Sequence, residues 1–214
     1  MTIDKDLAAS IAATRFGLGA RPGEIDAARA DPRGWLTSQI RPAGADAIRA
    51  DMPASSERLS QYREVQEARR AARVATAAAG SGPAATASAP DPVQMVQKMI
   101  RRDAGADFVA RMNLGATTAA PFRERWALFW ANHFTVSAAK VVTATMIGPF
   151  EQEAIRPHAF GRFEDMLVAS SSNPAMLLYL DQAQSIGPES RAGRFVRLGG
   201  KTLGLNENLA REIL

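Results

Sequence analysis

Cysteine is absent from all 214 residues, which excludes disulfide frameworks, thiolate metal sites, iron–sulfur clusters and thiol nucleophiles together. Histidine is nearly absent. His133 and His158 are the only two, and neither forms a His-x-x-x-His pair or the His-Glu-x-x-His pattern of helical zinc hydrolases. The lack of cysteine leaves the compartment undecided, since exported proteins also manage without it. No apolar run approaches the ~20 residues needed to span a bilayer. Residues 1–10 lack the basic stretch and following apolar core of a signal peptide, so a cytoplasmic location is the default expectation. A dominant charge sign is missing too: 26 basic residues stand against 22 acidic ones, for a net charge of +4. That is a mixed, soluble surface with a mild basic excess, unlike the dense field of a dedicated nucleic-acid binder.

Hydrophobic residues nevertheless make up 46% of the chain, enough to bury a core. Their spacing is helical nearly throughout. Residues 6–16 read as a short amphipathic helix stopped at Gly17-Leu18-Gly19, which no strand precedes, so it is a helix-connecting turn rather than a phosphate loop. A second helix is expected at 24–30 and a third from Asp31-Pro32, with Trp35, Leu36 and Ile40 on one side. Residues 55–79 form one long Ala-rich helix whose Glu and Arg residues alternate at i, i+3 and i+4. It carries few large apolar side chains and should pack poorly. Its Arg69–Arg73 region, with Arg191–Arg197, is the sharper candidate for nucleic-acid contact. Residues 80–92 are rich in Ala, Ser, Gly and Pro and read as a flexible low-complexity insertion. Helical sequence resumes at Val93 and could continue through Met112.

The densest signal lies between Pro121 and Phe134. Phe122, Trp126, Phe129, Trp130 and His133 recur at i, i+4, i+7, i+8 and i+11, one face of a helix. The expectation is that this face is the heart of the core. Residues 141–147 fit a β-branched strand or a helix, and Gly148-Pro149 should break or kink the chain there. Asn173-Pro174 is an N-cap followed by Pro at the first helical position. Ser170-Ser171-Ser172 reads as the loop before it. Residues 187–204 read as a Gly- and Arg-rich loop, and Asn206 caps a last helix still running at Leu214. That last feature suggests a chain cut short of its domain.

Four ordered stretches carry a resemblance. They are Arg123-Glu124-Arg125-Trp126 through Trp130-Ala131-Asn132-His133-Phe134; Arg156-Pro157-His158-Ala159-Phe160-Gly161-Arg162-Phe163; Asn173-Pro174-Ala175-Met176-Leu177-Leu178-Tyr179-Leu180-Asp181; and Leu205-Asn206-Glu207-Asn208-Leu209-Ala210-Arg211-Glu212. With Arg15-Phe16-Gly17 and Trp35-Leu36 they make the chain similar to the bacterial family catalogued as domain of unknown function 1800. The resemblance implies a helical protein of which this chain is the N-terminal part. It brings no established activity. It also implies a neighbouring, exported protein as a partner, which sets a periplasmic or envelope role beside the cytoplasmic default.

For chemistry, His133 on the aromatic face reads either as a core histidine hydrogen-bonded to backbone or as a general base or metal ligand. His158 follows Pro157 near a helix end and reads as a capping or surface group, with the same weaker metal alternative. Asp181 ends a short helix, where a carboxylate opposes the helix dipole and needs an arginine, a metal or a capping donor. Asn206 and Glu207 are explained as a cap and a first-turn acid, and Glu207 pairs with Arg211. Asn208 and Glu212, four apart, share a face and could point inward. A polar or catalytic site would therefore draw on His133, Asp181, Asn208 and Glu212 from different helices. No cofactor is indicated.

The expectation is an all-α, irregular helical bundle over residues 1–214, truncated at its C-terminal end. Its function is open between a scaffold or partner-binding module and an enzyme using the four residues just named.

Overall fold

The computed structural model describes residues 4–78, 92–187, 189–198 and 204–213. Among them there are twelve α-helices, one π-helical turn and two 3-10 turns, and no strand. The fold is all-α, an irregular assembly of helices. Of the stretch read as a flexible insertion, all but Pro92 lies outside the described residues. The chain divides into two compact units. Unit 1 comprises Met1–Met52, Asp103–Thr135 and Gly148–Ser170; unit 2 comprises Pro53–Arg102, Val136–Ile147 and Ser171–Leu214.

In unit 1, α1 (Lys5–Arg15), α2 (Glu24–Arg29) and α3 (Pro32–Thr37) form the N-terminal layer. Ala9, Ala12 and Ala28 are its buried centre, with Ile25, Trp35 and Leu36 packed around them. Alanine at each contact lets the helices approach closely at no cost in side-chain entropy. The turn after α1 needs a left-handed residue at Gly19, where φ is +100°, and glycine adopts that without a Cβ clash. Asp31 caps α3 through Gly34 N–H at 2.9 Å, with Pro32 at the first helical position, as its sequence signals.

The long helix α5 (Pro92–Thr117) contributes its later turns to unit 1, followed by α6 (Pro121–His133). Ala120 offers α6 no side-chain cap. Instead the buried Gln39 accepts from Phe122 N–H at 2.9 Å, satisfying an orphan donor of the first turn from 83 residues away. Next come α8 (Ile147–Phe150), the π turn Glu151–Ile155 and the 3-10 turn Arg156–His158, an unbroken run of helical backbone. Gly148-Pro149 thus lies within a helix. Gly148 is there because a Cβ would sit 2.7 Å from the Asp107 carboxylate packed against it. Gln152, from the π turn, clasps the Arg49 backbone at two points, accepting from its N–H at 3.2 Å and donating to its carbonyl at 3.0 Å.

In unit 2, α4 (Ser55–Ala78) is one long helix, exposed over most of its length. α7 (Val141–Ala144) is helical rather than a strand, with Thr143 buried and its hydroxyl donating to Ser137 O at 2.6 Å. α9 (Phe163–Ser172), which belongs to unit 1 as far as Ser170, contains the three serines expected to form a loop; Ser170 is buried, its hydroxyl donating back to Leu167 O. Back-bonding of this kind lets serine end a helix from inside it. α10 (Pro174–Tyr179) starts at the Asn173 cap as expected, with Ala175 N–H donating to Asn173 Oδ1 at 2.9 Å. The expected loop at 187–204 contains a helix, α11 (Arg191–Leu198). Its start is set by Ser190, whose hydroxyl accepts from Gly193 N–H at 3.0 Å, a serine cap overlooked amid the glycines. α12 (Asn208–Ile213) follows Asn206, whose Oδ1 accepts from Asn208 N–H at 2.9 Å.

Candidate functional site

Helix α6 places its side chains against expectation. Its buried residues are Pro121, Arg123, Glu124 and Ala127. The aromatic stripe lies on the other flank: Phe122, Trp126 and Trp130 are half-buried, Phe129 is 51% exposed, and His133 is exposed. The stripe is therefore not the heart of the core. What the helix buries instead is charge, which is tolerable only when paired and hydrogen-bonded.

That pairing centres on Arg156, 1% exposed, which lies between Glu124 and Glu151, each 2% exposed. Arg156 Nη1 and Nη2 donate to the two Glu124 oxygens at 2.8 and 2.6 Å. Its Nε and Nη2 donate to Glu151 Oε1 at 3.0 and 2.7 Å. The remaining Nη1 hydrogen goes to Asp46 O at 2.7 Å. The π turn explains the meeting of Glu151 and Arg156, five residues apart, because its backbone bond runs from Arg156 N–H to Glu151 O. Arg111 adds a second cation 3.0 Å from the other Glu151 oxygen. Burial, the largest single influence, pulls the Arg156 guanidinium down, but the hydrogen bonds and charges of Glu124 and Glu151 outweigh it and its pKa is raised. This cluster is a structural strut with no open face for a substrate. Sequence reasoning missed it, since Glu124 stands between Arg123 and Arg125 and nothing in its spacing announces a distant arginine.

The aromatic flank is open. Trp126 and Phe129 stack with centroids 5.1 Å apart and planes within 10°, and Trp130 meets both edge-on. Phe163 joins Trp130 and Phe134 at 5.8 and 5.9 Å. His133 lies parallel to Phe129 and edge-on to Trp130 and Phe134. It is the outer end of an aromatic ridge. Alongside the ridge runs a groove of about 590 Å³ whose floor is Phe16, Leu36, Ile40, Phe122, Trp126 and Phe129. Phe16 and Ile40 are each 45% exposed. Arg15, Arg33 and Arg125 are the charged residues of its wall.

His158 ends the 3-10 turn, half-buried, with its carbonyl accepting from Gly161 N–H at 2.9 Å. Asp181, in unit 2, stands in the left-handed region at φ 58°. The compensation it needs comes from Lys140, whose Nζ donates to Asp181 Oδ1 at 2.6 Å. The same ammonium donates to Leu178 O and Tyr179 O at 2.9 Å each, so one lysine caps the carbonyl end of α10 and neutralises the carboxylate beyond it. Asn208 and Glu212 are exposed rather than turned inward. Glu207 pairs with Arg211 at 2.8 Å as expected. Among the described residues no group of three or more His, Asp or Glu is placed to hold a metal ion.

No curated protein and no solved structure matches the chain. A comparison with protein families does, over residues 11–214. That span runs from the second half of α1 to α12 and takes in the four stretches quoted above. The chain belongs to the family described as Protein of unknown function (DUF1800).

Proposed function

We infer that the protein is a partner-binding helical module whose contact surface is the aromatic ridge and groove of unit 1. One observation carries this reading: the aromatic flank of α6 is only half-buried, with Phe129 exposed, while its inward face is filled by an ion-pair cluster and alanine. A water-soluble chain that leaves a contiguous aromatic patch uncovered marks an interaction surface more often than chance exposure. Trp and Phe are also the side chains that dominate binding energy at such surfaces. The ridge is preorganised by its own ring contacts, which lowers the ordering cost on association.

The test is photo-crosslinking in the cell that makes the protein, with a benzophenone amino acid at Phe129 and, as control, at Arg69 on exposed α4. A single protein adduct at position 129, absent at 69 and reproduced with the purified partner, supports the reading. No adduct at 129, or the same adducts at both positions, overturns it. The enzymatic alternative around His133, Asp181, Asn208 and Glu212 has its own measurement. Stoichiometric metal in the purified protein, lost on His133→Ala, would put catalysis in place of partner binding.

A further inference from the structure

We propose that the groove of unit 1 receives an amphipathic helical segment of another protein with an apolar face flanked by acidic side chains; this names the partner's chemistry and rests on the partner-binding reading above. The floor has no polar group to offer. Trp126 Nε1–H is committed to Ala159 O at 2.7 Å, and the Thr37 hydroxyl to Gly34 O at 3.1 Å. What remains is ring face and aliphatic surface, a match for Leu or Phe side chains of an incoming segment.

The wall is cationic and unspent. Among the described residues Arg15 and Arg33 have no hydrogen-bond or ion-pair partner, and Arg125 has only a long contact to Gly17 O at 3.4 Å. No carboxylate lines the groove. The acids of the surrounding helices are engaged elsewhere: Glu24 with Arg21, Asp6 and Asp26 with Arg29, and Asp31 with the Gly34 N–H. Three guanidinium forks beside an apolar floor therefore present donors to carboxylates and repel cations. A second copy of this chain fits worse. A twofold contact through the groove would set arginine against arginine on a protein already carrying +4.

The probe is a fluorescein-labelled amphipathic peptide with Leu and Phe at helical spacing and Glu at the intervening positions, compared with the same peptide carrying Lys for each Glu. Anisotropy is read at ~0.05 and ~0.3 M salt. The Glu peptide is expected to bind the full chain at least about tenfold tighter than the Lys peptide, with the difference shrinking at high salt. Phe129→Ser should weaken both. Arg15→Glu with Arg33→Glu should reverse the order of the two peptides; the neutral pair Arg15→Gln with Arg33→Gln, which is gentler on folding and leaves Arg125, should shrink the preference. Equal or tighter binding of the Lys peptide, no response to the arginine changes, or binding of neither peptide overturns the proposal. So does self-association lost on Phe129→Ser, or tighter binding to phosphatidylserine vesicles than to the Glu peptide. A specific adduct at position 129 with failure of the acidic peptide would leave the partner-binding reading standing and remove only this one.

Discussion

Arg156 uses all five of its N–H donors inside the protein, on Glu124, Glu151 and the Asp46 carbonyl. Replacing it with Met leaves two carboxylates buried and short of their counter-ion, and the expected cost is about 3–5 kcal/mol, read as a fall in the urea midpoint at unchanged slope. Lysine should rescue little, because a single ammonium cannot reproduce the fork. The raised pKa of Arg156 fixes the sign of its pH dependence. A cation whose folded pKa lies above its unfolded one contributes fully at every pH below the unfolded value and loses that only as pH climbs through the folded one. Arg156 itself should therefore add no slope to stability across neutral pH. Gly44 supports the same strut. Its φ is +84°, and a Cβ there would collide with the Arg156 and Pro157 carbonyls, while Ala45 N–H donates to Arg156 O at 2.8 Å. Gly44→Ala should destabilise by about 1–3 kcal/mol by the same measurement.

At the scale of the element, α6 makes the sharpest prediction. If its aromatic flank were core, Phe129→Ala would cost about 3–5 kcal/mol. With Phe129 half-exposed and held chiefly by the Trp126 stack, the expected loss is about 1 kcal/mol. Met166→Ala, at a residue 1% exposed on α9, should cost about 2–5 kcal/mol in the same denaturation series. α10 is held by its two ends, Asn173 and Lys140. Lys140 and Asp181 are 37% and 39% exposed, so their ion pair is screened and worth well under 1 kcal/mol. Lys140→Met should act mainly through the freed carbonyls of Leu178 and Tyr179, lowering stability by about 1 kcal/mol and speeding amide exchange in α10 before other helices.

For the whole molecule, composition decides more than any single residue. Long helices are present, yet among the described residues none is long and apolar enough to cross a membrane, because charged residues recur along both α4 and α5. The surface carries a net +4 from 26 basic and 22 acidic residues, and on α4 both signs share the helix. A random DNA duplex should therefore bind no tighter than about 10⁻⁶ M at physiological salt and release steeply as salt rises. A salt-resistant, tighter complex would count against the protein-partner reading.

Helical spacing, proline and asparagine at helix starts and the lack of cysteine were enough to specify an all-α chain, its N-terminal layer, the Asn173 and Asn206 caps and its family, since these signals are local and each acts within one or two turns. The direction in which α6 faces was decided elsewhere. Periodicity shows that Trp126, Phe129, Trp130 and His133 share a flank, but whether that flank is inside depends on what the rest of the chain brings to the opposite one. Here Arg156 arrives from 32 residues away and makes burial of Glu124 tolerable, and Lys140 reaches Asp181 across 41 residues. Partners so distant leave no period in the sequence, so only the tertiary structure could place charge in the interior and aromatic rings at the surface.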